Sequence, residues 1–139
     1  MSARIHLTHT FASDPETVFA ALSEHENLGP LFGARITRLR DGETSRNGVG
    51  SARLLRVGPL PGFVETVTVA EPHRLIEYRI TAGGPLRRHR GVQRLEPVEG
   101  GGTRLEYLIE FDAVLPGLAP IVAAVLRRSI RTHLPALAP

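Results

Sequence analysis

The strongest constraint in this chain is a strict alternation of apolar and polar residues through four consecutive segments between Phe63 and Phe111. A period of two is the repeat of an extended strand, whose successive side chains point to opposite faces. Joining the segments as hairpins puts Phe63, Val67 and Val69 on one face with Ile76, Tyr78 and Ile80, then Leu95, then Leu105, Tyr107, Ile109 and Phe111. Glu65, His89 and Gln93 fall on that same face. A one-sided antiparallel sheet normally turns such groups to water. The pattern therefore predicts a sheet curved around a cavity with a selective polar lining.

Charge supports the register. With Leu95 opposite Leu105, the other face brings Arg94 to Glu106, Arg90 to Glu110 and Glu96 to Arg104. Three complementary pairs mark that face as the wet one, each contributing a few tenths of a kcal/mol. The same hairpin logic carried upstream puts Val57 opposite Phe63, Leu55 opposite Glu65 and Arg53 opposite Val67, with Arg53 diagonal to Glu65 on the inner face.

The remaining elements are set by local signals. Ile5, Leu7, His9 and Phe11 alternate with polar neighbours and open the chain with a strand. Ser13-Asp14-Pro15-Glu16 starts a short helix, capped by Ser13 with Glu16 or by Asp14 with Pro15 at the first helical position. A second short helical piece covers 26–32, disturbed by Gly29-Pro30. Strands are expected at 34–40, 51–57, 63–70, 75–81, 88–96 and 103–112, and a helix from Leu118 to about Leu134. That helix is about 25 Å long, enough to cross a small sheet. Leu118, Val122, Val125, Ser129 and His133 approximate its inner face.

With 139 residues and no internal repeat or linker, the chain reads as one domain over 1–139. All 17 basic residues are arginine, against 14 acidic ones. That usage, with abundant Gly, Pro and Ala, reads as compositional bias, and no nucleic-acid partner is expected from it. There is no cysteine, hence no disulfide or thiol chemistry. No signal-like or membrane-spanning run is present, so a cytoplasmic location without integral membrane association is expected. No His and carboxylate spacing suggests a metal, and no cofactor is expected. The sequence carries no signal for oligomeric state.

Several stretches have a family character: Ser13 through Phe19, Gly48-Val49-Gly50-Ser51-Ala52, Glu65 through Glu71-Pro72-His73-Arg74-Leu75-Ile76-Glu77-Tyr78, His89-Arg90-Gly91, Leu95-Glu96-Pro97 and Gly102-Thr103-Arg104-Leu105. On these the chain resembles the START-like, SRPBCC superfamily, and within it the polyketide cyclase/dehydrase and lipid-transport group. The resemblance implies an α+β helix-grip fold. In it, a seven-stranded curved antiparallel sheet wraps a long C-terminal helix, with two short helices after the first strand. It also implies a hydrophobic pocket between sheet and helix. Two departures narrow the kinship: the chain has no tryptophan, and His25-Glu26-Asn27-Leu28-Gly29-Pro30 stands where ubiquinone-binding relatives are rich in Tyr and Pro.

Arg53 and Glu65 are the foremost site candidates, because a carboxylate on an apolar face is costly unless paired or protonated. They read either as a polar anchor or general base, or as a structural ion pair or rim position. His89 reads as an acid/base or as a residue at the open rim beside Gly83-Gly84-Pro85. Tyr78, Gln93 and Tyr107 lie on adjacent strands and could orient a carbonyl-rich or hydroxylated ligand, or simply satisfy one another. Gly91, opposite Tyr78, leaves room there. Leu55, Val67, Val122, Val125 and Ser129 complete the expected lining. Arg87-Arg88-His89-Arg90 is the one basic run, with a solvated face as its plain reading.

Three functions remain open at this level. One is a carrier or binding protein for a small hydrophobic molecule. Another is an enzyme resembling polyketide aromatase/cyclases, with Arg53 and Tyr78 polarising a carbonyl and Glu65 or His89 abstracting a proton. The third is a regulatory protein-binding module that uses the exposed arginines.

Overall fold

The computed structural model describes residues 2–138. Seven strands form one antiparallel sheet: β1 (Ser2–Phe11), β2 (Arg35–Arg40), β3 (Ala52–Arg56), β4 (Phe63–Glu71), β5 (Leu75–Gly83), β6 (Leu86–Pro97) and β7 (Thr103–Ala113). Their order across the sheet is β1-β7-β6-β5-β4-β3-β2, so consecutive strands are neighbours except where β1 joins β7. Helix α1 (Pro15–Ser23), a 3₁₀ turn at His25–Leu28 and α2 (Gly29–Phe32) connect β1 to β2, and α3 (Leu118–His133) comes after β7. This is the helix-grip arrangement: α3 lies over the face of the sheet that carries the apolar residues.

Asp14 caps α1, its Oδ1 accepting from the Thr17 N–H at 2.8 Å with Pro15 at the first helical position. Of the two starts open to the sequence, this one puts Pro15 at the first helical position, where its missing N–H costs no helical bond. Downstream, Arg38 on β2 donates to Glu24 Oε1 (2.7 Å), to Glu26 Oε1 (2.9 Å) and to Asn47 Oδ1 (2.7 Å). These bonds clamp the 3₁₀ turn to the edge of the sheet, and the bond from Arg38 lowers the Glu26 carboxyl pKa.

The β6–β7 register is the one read from charge: Leu95 faces Leu105, Arg94 faces Glu106, Arg90 faces Glu110 and Glu96 faces Arg104. Of the three pairs only Arg104–Glu96 closes as an ion pair, at 3.1 Å. Arg90 reaches instead to Glu77 on β5 at 2.9 Å. Sharing a register position sets two side chains side by side, and a third strand can still offer the better partner.

Three expectations are corrected. Arg53 lies directly opposite Glu65, and Leu55 opposite Phe63, two residues away from the register extrapolated upstream. The loop extends back to Arg56, so that Leu55 instead of Val57 is the last residue paired with Phe63, and that shift makes the diagonal pair a direct one. Val69 pairs with outward-facing Glu77, because an irregularity between Val67 and Val69 reverses the alternation; Ala70, opposite Ile76, takes the inner place. A bulge adds one residue and re-aims the side chains beyond it. Finally, the inner face of α3 is Ala119, Val122, Ala123, Leu126 and Ile130, whereas Val125 is 66% exposed and His133 is exposed. The face expected from sequence is rotated by about one position on the helix, where apolar residues occur all round the N-terminal half.

Gly91 does not leave room for a ligand. A Cβ there would stand 2.2–2.7 Å from ring atoms of Tyr78, which is itself buried. The close approach is that of the phenol ring from the neighbouring strand. Gly91→Ala is expected to lower stability by about 1–3 kcal/mol, as overpacking a filled core does. A shift of the urea midpoint at constant slope is the measurement, and an unchanged midpoint would show that Tyr78 moves freely.

Candidate functional site

The inner face gathers most of the polar residues singled out from the sequence into one buried cluster. Arg53, Glu65, Tyr78, His89, Gln93 and Tyr107 are each no more than 6% exposed. Arg53 Nε donates to Glu65 Oε1 at 2.9 Å. Its Nη2 lies 2.8 Å from the same oxygen, but without the alignment of a hydrogen bond. The pair is thus one-oxygen and lopsided, leaving Glu65 Oε2 to face His89 Nε2 at 3.7 Å. The guanidinium also lies over the Tyr78 ring, 4.9 Å from its centroid, and 5.9 Å from that of Phe32. Stacking of this kind suits the flat, weakly hydrated arginine head.

His89 is buried, which removes the open-rim reading. It keeps the inward parity of Gly91, Gln93 and Leu95, and a bulge between Arg87 and Arg90, with Arg88 at a φ of 51°, shifts the register of the residues before it. Arg88 Nε is tied to Asp112 Oδ2 at 2.7 Å, which holds the strained residue in place. The His89 Nδ1 accepts the Ile80 backbone N–H at 3.0 Å. One nitrogen is therefore an acceptor, and the neutral ring carries its proton on Nε2, toward Glu65. Burial lowers the pKa of His89, and the facing Glu65 carboxylate opposes that shift in part.

Tyr78 and Tyr107 share a hydrogen bond between their hydroxyls, and Gln93 sits directly opposite Tyr107. Burial pushes both phenol pKa values up, so these groups donate and accept hydrogen bonds as neutral phenols. The Gln93 amide lies beside the Tyr107 hydroxyl and offsets part of that upward shift, whereas among the described residues the buried Arg53 Nη2 makes no aligned hydrogen bond. Buried polar atoms are rarely left so.

Other expected lining residues fare differently. Leu55 and Val67 are buried on the inner face and Val122 packs against the core. Ser129 Oγ donates to the Leu31 carbonyl at 2.9 Å and so fastens α3 to α2. Val125 points to solvent and lines nothing in the interior. A groove of about 430 Å³, lined by Pro120, Ala123, Ala124, Arg127, Arg128 and Arg131 among others, runs along a flank of α3, with no residue of the cluster in its lining.

The sequence reading missed His25 and Ser51. Both are fully buried, and His25 Nε2 lies 3.0 Å from Ser51 Oγ. Ser51 spends its own proton on the Gly48 carbonyl at 2.7 Å, so the histidine is the donor. Burial, then the charges of Arg53 and Arg38, lower the His25 pKa to about 3. Only its position beside Gly48–Ala52 in the fold reveals it, since one histidine in a short helical turn carries no periodic signal.

Comparison with known proteins fits this architecture. The profile of the polyketide cyclase/dehydrase and lipid transport family matches residues 2–139, and the chain belongs to that family. Among solved structures, a START superfamily protein from Mycobacterium smegmatis superposes with a TM-score of 0.79 at 16% identity, covering 97% of this chain and 96% of that one. An aromatase/cyclase from a Streptomyces species gives 0.71 at 17% identity, with 99% and 90% covered. Norcoclaurine synthase from Thalictrum flavum, solved with dopamine and hydroxybenzaldehyde, gives 0.62 at 14% identity, with 96% and 88% covered. At such identities the likeness is one of fold. No curated protein sequence matches significantly.

This geometry has two measurable consequences. Arg53→Met strands a buried carboxylate and is expected to cost about 3–5 kcal/mol, whereas replacing Arg53 and Glu65 together by Met and Leu costs much less. Denaturant titration of the single and double variants tests the coupling, and additive losses would refute it. Both histidines have folded-state pKa values below the unfolded value of about 6.5. The unfolded chain therefore binds more protons in the window below pH 6.5, and stability falls as pH drops through it. Each histidine adds up to about 1.4 kcal/mol per pH unit, for His25 down to about pH 3. Replacing His25 by Gln should flatten the dependence of stability on pH between 6.5 and 4, while an unaltered slope would assign it elsewhere.

Proposed function

We propose that this protein binds a small hydrophobic molecule between the curved sheet and α3, with the Arg53–Glu65–His89 cluster as its polar anchor. The observation that carries this reading is a charged pair, an imidazole, an amide and two phenols, all buried together on an apolar face. A buried ion pair is weak stabilisation, because desolvation of both charges offsets their attraction. Its presence at the centre of the inner face is better explained by recognition. Arg53 Nη2 lies beside Glu65 Oε1 without the alignment of a hydrogen bond, and this lopsided pairing favours a ligand carrying a carbonyl, hydroxyl or carboxylate oxygen. Val67, Leu55 and Val122 supply apolar contact around it, and Phe32, tilted against Tyr78 at 6.3 Å, closes one side.

The lipid-transport side of the family description is compatible with binding alone; its cyclase/dehydrase side supports a second reading. One observation favours that reading: the Ile80 N–H holds His89 in a single tautomer, with Nε2–H toward Glu65. In such an enzyme Arg53 and the Tyr78 hydroxyl polarise a substrate carbonyl, and the Glu65 carboxylate, with His89 beside it, takes the α-proton.

Native mass spectrometry of protein from its own host, followed by organic extraction, tests the binding reading. A discrete copurified lipid, isoprenoid or polyketide is the expected result. A bare protein that takes up nothing from a panel of oxygenated hydrophobic compounds would sink it. Once a ligand is in hand, Glu65→Gln separates the two readings. A carrier keeps its affinity within a few-fold, while an enzyme retains binding and loses turnover.

A further inference from the structure

Three loops meet at one end of the sheet, and their chemistry is unlike the rest of the surface. A Cβ on Gly83 would lie 2.6 Å from the Gly62 carbonyl, and one on Gly84 would lie 3.0 Å from Phe63. The β3–β4 and β5–β6 loops are therefore in contact. The Val114 N–H donates to the Pro85 carbonyl at 3.0 Å, joining the β7–α3 loop to them. From this shared end project Leu60, Val114 and Leu115, exposed by 52%, 51% and 61%. Within the first two turns of α3, Ile121 and Val125 add side chains exposed by 62% and 66%. Five of the seven large apolar side chains exposed on the described surface thus belong to this loop end and the helix it feeds.

The charge around this patch has one sign. Arg56 and Arg87 are exposed on the loop side, and among the described residues neither has a carboxylate partner. Arg128 and Arg131 are exposed on α3, Arg128 one turn beyond Val125, and both line the groove of about 430 Å³ on a flank of that helix. Between Ala113 and Pro139 the sequence holds no acidic residue at all. Asp112, just before that stretch, is already taken by Arg88.

We propose that this face docks on the surface of an anionic phospholipid bilayer. Leu60, Leu115, Ile121 and Val125 would enter the interface while the arginines meet phosphate headgroups. An apolar patch rimmed by basic groups is what a peripheral membrane surface requires: shallow burial for adhesion and positive charge for anionic lipid. The sign of the charge decides against a second copy of the chain as occupant. A two-fold contact lays a patch on itself, so arginine would meet arginine. The proposal rests on the surface alone and needs no bound cargo, so it stands or falls apart from the interior binding reading. The two connect by distance. Glu65 lies two residues from Phe63 and His89 three from Leu86, so the polar cluster begins about 7–10 Å inward of the docking face.

Cosedimentation with vesicles tests it, using phosphatidylcholine alone and a mixture with phosphatidylglycerol at low and at 0.5 M salt. Binding to the anionic vesicles only, weakened at least tenfold by salt, is expected. Leu115→Asp with Ile121→Asp, and separately Arg128→Glu with Arg131→Glu, should each reduce it tenfold or more while circular dichroism stays unchanged. All four positions are exposed, so folding is not at stake. No association at millimolar anionic lipid overturns the proposal. So does association indifferent to the arginine reversals. A dimer in light scattering that dissociates on Leu115→Asp, without vesicle binding, would overturn it in favour of a second copy.

Discussion

The interior of this protein is organised by a charge pair that its surroundings do not favour. Arg53 and Glu65 face each other across β3 and β4 with both side chains almost wholly withdrawn from water. Desolvating them costs several kcal/mol per ion, and only close pairing makes the arrangement tolerable. Much of the local structure serves that pairing. The register of β3 against β4 puts the two directly opposite, and the Tyr78 ring lies under the guanidinium. His89 on β6 faces the carboxylate oxygen that Arg53 leaves.

Around that pair the apolar framework and the polar knots divide the labour. Ile5, Leu105, Ile109, Phe111 and Ile130 are almost fully buried and supply the hydrophobic free energy of the fold. Polar ties fix the elements that have too little apolar surface to place themselves. Arg38 holds the 3₁₀ turn through Glu24 and Glu26, His25 reaches Ser51 beneath it, and Ser129 fastens α3 to α2. The consequence is an interior whose charged groups are held in single geometries, which is the condition for recognising an oxygenated ligand with few contacts.

Family membership and interior chemistry speak to different questions. The fold is shared by proteins with unrelated ligands, and a fold does not select among them. The chemistry of this chain lies in the inward polar groups on β3 to β7, and its exterior is apolar and basic at the end where the β3–β4, β5–β6 and β7–α3 loops meet.

Sequence alone determined the strands of the second half, the β6–β7 register, the position of α3 and the inward polar set of Glu65, His89 and Gln93. These rest on period-two alternation, punctuating Gly and Pro, and complementary charges, all of which act between near neighbours in the chain. Only tertiary structure decided that Arg53 meets Glu65 head-on, that Val69 yields its inner place to Ala70, and that Val125 faces out while Val122 faces in. It also decided that Gly91 accommodates Tyr78 rather than a ligand, and that His25 and Ser51 pair beneath the first helices. Loop reach, bulges and helix rotation settle those points. Each is fixed by the packing of whole elements on one another, and packing leaves no periodic trace in a sequence.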